Sequence, residues 1–113
     1  MNGNLSASVF LIRIKKLIEL GNLKFKPRNF NKTYQFLIKE HLTVADVLNY
    51  INNLKPENYY SGPFADENGT DGNVMIFIKK YKNIKIYIKL KIWQENQKDS
   101  GIIMSFHEEG LYD

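Results

Sequence analysis

Between Ile84 and Trp93 the chain alternates without a break: Ile84, Ile86, Ile88, Leu90 and Ile92 are apolar, and Lys85, Tyr87, Lys89, Lys91 and Trp93 fall between them. Successive side chains of a strand point to opposite faces. Such a strand has one wholly apolar face and one cationic, aromatic face. A helix does not fit, because its 3.6-residue period would spread the isoleucines around the axis. The segment therefore requires a sheet with an apolar layer packed on one side only.

The flanking residues supply that sheet and that layer. Val74–Lys80 reads as a preceding strand, joined through a Tyr81-Lys82-Asn83 hairpin turn, and Gly101–His107 as a last strand after a polar Gln94–Ser100 loop. Tyr59-Tyr60-Ser61-Gly62-Pro63 reads as a loop, followed by a turn-forming stretch from Asp66 to Asn73. Upstream the helical period takes over. Over residues 6–20, Phe10, Ile14, Leu17 and Ile18 make one stripe, with Ser6 or Ser8 as cap and Gly21 as terminator. Leu23–Lys26 alternates like a short strand before Pro27. A second helix is expected from about Asn29 or Asn31, with Phe30, Tyr34, Leu37 and Ile38 on one side. Thr43 opens a third, with Asp46 in capping-box position, Val44, Val47, Leu48, Ile51 and Leu54 buried, and Pro56 at its end. The expected class is α+β: N-terminal helices on one face of a C-terminal antiparallel sheet. A length of 113 residues fits one domain over 1–113.

If the helices cover the isoleucine face, the other is left to solvent. Tyr87, Lys89, Lys91 and Trp93 lie there, and the last strand adds Ile103, Ser105 and His107, while Ile102, Met104 and Phe106 go to the core. Charge concentrates in the same region: six lysines and no acid lie between Val74 and Gln94. Residues 1–93 carry a net +8 and residues 94–113 a net −4. A basic surface with aromatic side chains suits an anionic polymer with unpaired bases. Nucleotide composition bias accounts for many lysines equally well, and a Lys/Tyr strand face also guards a sheet against edge aggregation.

Cleaving RNA at such a face needs a proton acceptor, a proton donor and cations on the phosphate. His107 and Tyr87 can exchange protons, Lys89 and Lys91 carry charge, and Trp93 and the Tyr59/Tyr60 pair can stack on bases. The absence of cysteine excludes a thiol nucleophile and a cysteine-ligated metal, and two histidines argue against a protein-only transition-metal site. Ser105 lacks a nucleophile elbow, and Gly69-Thr70-Asp71-Gly72 lacks the residues of a phosphate loop. Asp66, Glu67 and Asp71 read as turn residues rather than a cation site. No cofactor motif is present. The apolar run Val9–Ile12 is far short of the ~18 residues of a spanning helix, so the expectation is a soluble, cytoplasmic chain without a membrane partner.

Several pieces recur together in one known family. Leu54-Lys55-Pro56-Glu57-Asn58-Tyr59-Tyr60-Ser61-Gly62-Pro63, a strand with Phe77, Ile86-Tyr87-Ile88-Lys89-Leu90, and Ile103-Met104-Ser105-Phe106-His107-Glu108 resemble the MqsR (motility quorum-sensing regulator) toxins of type II toxin–antitoxin systems. Ile14-Lys15-Lys16-Leu17-Ile18 with Gly21 is similar to that family's first helix. The resemblance spans roughly residues 9–109 and implies a RelE-like fold. It also implies a metal-independent mRNA endoribonuclease that inhibits translation and growth and is held inactive by a cognate antitoxin. Ribosome dependence is left open. It implies Tyr87, His107 and Lys89 as catalytic residues. Lys91, Lys79, Tyr60, Ser61, Trp93 and Ser105 are expected on the substrate. Two positions depart from the family: Ser61 stands where a catalytic lysine is common, and an apolar residue near Phe77 replaces a glutamine. Lys79, Lys89 or Lys91 would then supply the missing charge. The alternative is a degenerate toxin, a module that binds RNA or antitoxin without cutting.

Overall fold

The alternating segment is the central element of a computed structural model that describes residues 3–27, 30–66 and 71–110, without the side chains of residues 3, 4, 30 and 31. Helix α1 (Gly3–Leu20) leads into strand β1 (Leu23–Phe25), helices α2 (Phe30–Glu40) and α3 (Val44–Asn52), and a 3₁₀ turn at Pro56–Asn58. Strands β2 (Tyr59–Ala65), β3 (Asn73–Tyr81), β4 (Ile84–Glu95) and β5 (Lys98–Glu108) follow. The sheet order is β1-β5-β4-β3-β2, parallel between β1 and β5 and antiparallel elsewhere. Five strands therefore form: the short one expected at Leu23–Lys26, the three consecutive ones expected at the C-terminal end, and β2, where a loop was expected.

The isoleucine face is the core. Ile86, Ile88, Leu90 and Ile92 are buried with Met75, Phe77 and Tyr81 of β3, Ile103 and Phe106 of β5, and Ala7, Phe10, Leu11, Ile14 and Leu17 of α1. α1 starts earlier than its periodicity suggests, so Ser6 and Ser8 lie within it rather than capping it. Its end is as expected. Gly21 adopts φ +73°, its N–H donates to Ile18 O, and Asn22 N–H donates to Leu17 O, the paired bonds that close a helix on a left-handed residue. α3 begins with the anticipated capping box, Thr43 N–H to Asp46 Oδ2 at 2.8 Å and Asp46 N–H to Thr43 Oγ1 at 3.1 Å. It buries Val47 and Ile51, leaves Val44 exposed and stops four residues before Pro56, with Leu54 buried just beyond its end.

α2 turns a different side inward. Thr33, Phe36 and Leu37 are buried, whereas Tyr34 and Ile38 are 42% and 75% exposed; Phe30 lies outside the described side chains. The cause is an edge: β1 is too short to cover all of β5, and α2 packs where it ends. There Thr33 Oγ1 accepts the Phe106 N–H at 3.3 Å, a backbone donor that would otherwise be buried unmet. Phe36 sits between Tyr81 and Phe106, while Tyr34 meets Phe25 edge-on.

Two expected loops are strand. The Tyr59–Pro63 segment becomes edge strand β2, irregular through bulges on either side of Ser61. The Gln94–Ser100 loop shrinks to a two-residue turn at Asn96 and Gln97, both at positive φ (52° and 65°), the hairpin geometry that matches strand twist. The polar residues around it are paired across the hairpin and to α1: Arg13 grips Asp99 through two 2.8 Å hydrogen bonds, and Gln94 donates to the same carboxylate.

β5 carries one extra residue. Lys89 pairs with Ser105 but Leu90 pairs with Ile103, so Met104 is a bulge and the alternation shifts by one. Ile103 therefore enters the core and Ile102, opposite Lys91, takes the other face, the reverse of simple alternation. Phe106, Ser105 and His107 lie beyond the bulge and keep their expected sides. Met104 is buried but, like Val74 and Ile76, stands outside the helix-side cluster. Among the described residues no helix is long and apolar enough to cross a membrane.

Candidate RNA-facing surface

Register fixes which side chains share the helix-free face. Lys80 pairs with Lys85. The next row is Ile78, Tyr87 and His107, and the one after it Ser61, Ile76, Lys89 and Ser105. Phe64, Val74, Lys91 and Ile102 follow, then Trp93 with Ser100. Side chains two apart on β4 lie ~6.6–6.8 Å from one another. Tyr87 thus stands between Lys85 and Lys89, with His107 directly across.

Tyr87 and His107 stack, ring centroids 5.3 Å apart and planes 17° from parallel. His107 Nδ1 lies 3.0 Å from Glu108 O. A carbonyl can only accept, so Nδ1 carries the hydrogen, and in the neutral ring the lone pair is on Nε2. Here the expectation of an open face needs correction. His107 is 2% exposed and Ser105 3%. In this conformation neither offers a broad surface to a phosphate, whereas Tyr87 and Lys89 are half-buried and Lys80 and Lys85 exposed.

Lys91 is corrected more strongly. Its ammonium lies 2.7 Å from Asp66 Oδ2, with side-chain exposures of 6% and 0%. The end of β2 brings Asp66 over β4, and a carboxylate takes the place where a substrate phosphate was expected. The same ammonium sits 5.5 Å from the Trp93 ring centre. Asp66 is therefore an interior ion-pair partner and not a solubilising turn residue. Glu67 lies outside the described residues.

Lys79 is on the wrong side. It pairs with Ile86, a core-face residue, so it cannot join Tyr87. Lys80 takes that position, and counting back through the two-residue Lys82–Asn83 turn from Lys85 would have found it. Ser61 lies in the Lys89 row but two strands away, on the far side of Ile76. Tyr60 is exposed on the edge strand. Trp93 is on the face, six residues along β4 from Tyr87.

The expected catalytic set, Tyr87, His107 and Lys89, is thus contiguous. Of the expected binding set, Ser105 and Trp93 share its face, Lys91 is neutralised, and Lys79 is excluded. At the margins, the Arg13 guanidinium holds the Asp99 carboxyl below its ordinary range by hydrogen bonding, which fixes the β4–β5 hairpin to α1. Lys82 similarly lowers Glu40, and burial raises Tyr81. No family model, curated protein or solved structure matches the chain.

Proposed function

We propose that this chain is a metal-independent mRNA endoribonuclease of the toxin kind, acting at Tyr87. The observation that carries the reading is the half-exposed Tyr87 flanked by Lys85 and Lys89 and backed by the stacked imidazole of His107. The likeness of Tyr87-Ile88-Lys89 and Ser105-Phe106-His107 to MqsR toxins supports it further, and would imply a RelE-like fold and a cognate antitoxin. In this account the substrate phosphate lies against Lys85 and Lys89, with Lys80 beside them. Their charge favours the crowded phosphorane that forms when a 2′-oxygen attacks. Adjacent ammonium groups favour phenolate, so Tyr87 takes the 2′-hydroxyl proton as the 2′-oxygen attacks and returns it to the 5′-oxygen as that leaves. His107 acts through Tyr87 by holding the ring in place, and from its buried position is a positioning residue.

A second reading, a module that binds RNA or antitoxin without cutting, is favoured by Ser61 in place of a lysine and by the neutralised Lys91. Purified protein incubated with single-stranded RNA, with and without EDTA and ribosomes, separates the two. The nuclease reading predicts cleavage that survives EDTA and falls at least ~100-fold in Tyr87→Phe, the scale of a lost general acid or base. RNA that is bound but never cut would leave the second reading standing.

A further inference from the structure

At the far end of the same face lies a groove of about 480 Å³, walled by Trp93, Ile102, Lys24, Lys26, Lys98 and Glu95. Register builds it. Lys24 of β1 sits opposite Ile102, which sits opposite Lys91, and Trp93 is opposite Ser100 in the next row. Sequence reading places Trp93 on the face but does not bring Lys24 or Lys26 to it, because that depends on β1 joining the edge of β5 in parallel.

Resting on the RNA reading above, we infer that this groove is a second contact for the single strand: one base stacks on Trp93, and neighbouring phosphates lie on Lys24 and Lys26. The Trp93 ring is half-buried and held from one side by the Lys91 ammonium, so it is a fixed platform. Lys24, Lys26 and Lys98 are all exposed. Two acids touch the groove: Asp99 is gripped by Arg13, and Glu95, the cross-strand partner of Lys98, offsets that lysine, so Lys24 and Lys26 carry the groove's charge. The six residues from Tyr87 to Trp93 span ~20 Å. The face then holds a strand of several nucleotides, in keeping with the ~4–16 nucleotides of single-strand binding sites. A rigid duplex cannot insert one unstacked base.

Trp93 is the only tryptophan in the chain, so its fluorescence reports this groove alone. Unlabelled single-stranded RNA decamers should quench it, and matched duplex RNA should not. Labelled decamers, followed by anisotropy, should bind roughly 5- to 100-fold more weakly to Trp93→Leu, the range for loss of one stacked base. Lys24→Gln and Lys26→Gln, both away from the core, should each lower the salt slope by ~0.7, the value of one phosphate contact on a single strand. They keep the test available if Trp93→Leu does not fold. Binding that leaves Trp93 fluorescence unchanged and is indifferent to Lys24 and Lys26 overturns the inference, as does equal quenching by duplex. Cleavage without quenching sinks the groove alone. Quenching without cleavage keeps the groove and sinks the nuclease.

Discussion

Removing either member of the Lys91–Asp66 pair should destabilise the fold more than removing both. At 2.7 Å the attraction is worth ~6 kcal/mol with an effective dielectric constant near 20. Several kcal/mol of desolvation per ion offset it, so the net value of the pair is small. Loss of one partner is another matter, since the remaining charge stays buried. Asp66→Leu and Lys91→Met should each cost ~3–5 kcal/mol. For a chain of this length that lowers the melting temperature by roughly 10–20 °C. Asp66→Leu/Lys91→Met should cost less than either single change, because two apolar chains replace two charges together. Urea titrations of the four proteins, with unchanged slopes, give the coupling directly. Single variants within ~0.5 kcal/mol of wild type would refute the reasoning. They would return Lys91 to the surface and to the substrate.

Three further outcomes follow from the packing. Thr33→Val keeps the shape of α2 but strips the acceptor from the buried Phe106 N–H, and should cost ~1–3 kcal/mol by thermal denaturation; no change would mean that the β5 edge is met by water instead. Gly62→Ala should be destabilising by ~1–3 kcal/mol or more, because Gly62 has φ +108° and an added Cβ would fall 2.7 Å from Val74 O. The folded-state pKa of Asp99 is depressed by Arg13. Its contribution is therefore complete above the unfolded value near ~3.9 and is lost as pH falls through the folded one. Asp99→Asn should cost ~1 kcal/mol or less at neutral pH, this pair being partly exposed, and should flatten the acid limb of a stability–pH curve.

The helices and the central strand were legible because each rests on local chemistry. A strict alternation needs no partner to fix its faces, and Thr43 with Asp46 caps its helix wherever that helix packs. What escaped is non-local. The Met104 bulge exchanges the sides of Ile102 and Ile103 only because β5 must follow β4, and no single residue announces it. α2 turned Thr33 and Phe36 inward to serve the uncovered β5 edge, a need that exists only once β1 has paired and stopped. The site divides in the same way. Tyr87, Lys89 and His107 came from period two near one end of the sheet. Lys79 falls on the other face because the length of the Lys82–Asn83 turn, not the strand's own pattern, sets which lysine of β3 meets Lys85. Lys91 failed because Asp66, twenty-five residues earlier in the chain, supplies its counter-charge.

In the proposed reaction RNA is cut by attack of its own 2′-oxygen at a phosphate beside Tyr87. End-group analysis of the fragments tests it most directly. The account predicts 2′,3′-cyclic phosphate and 5′-hydroxyl ends, formed in EDTA and missing with Tyr87→Phe. Fragments with 3′-hydroxyl and 5′-phosphate ends, or equal yields from Tyr87→Phe, would contradict it.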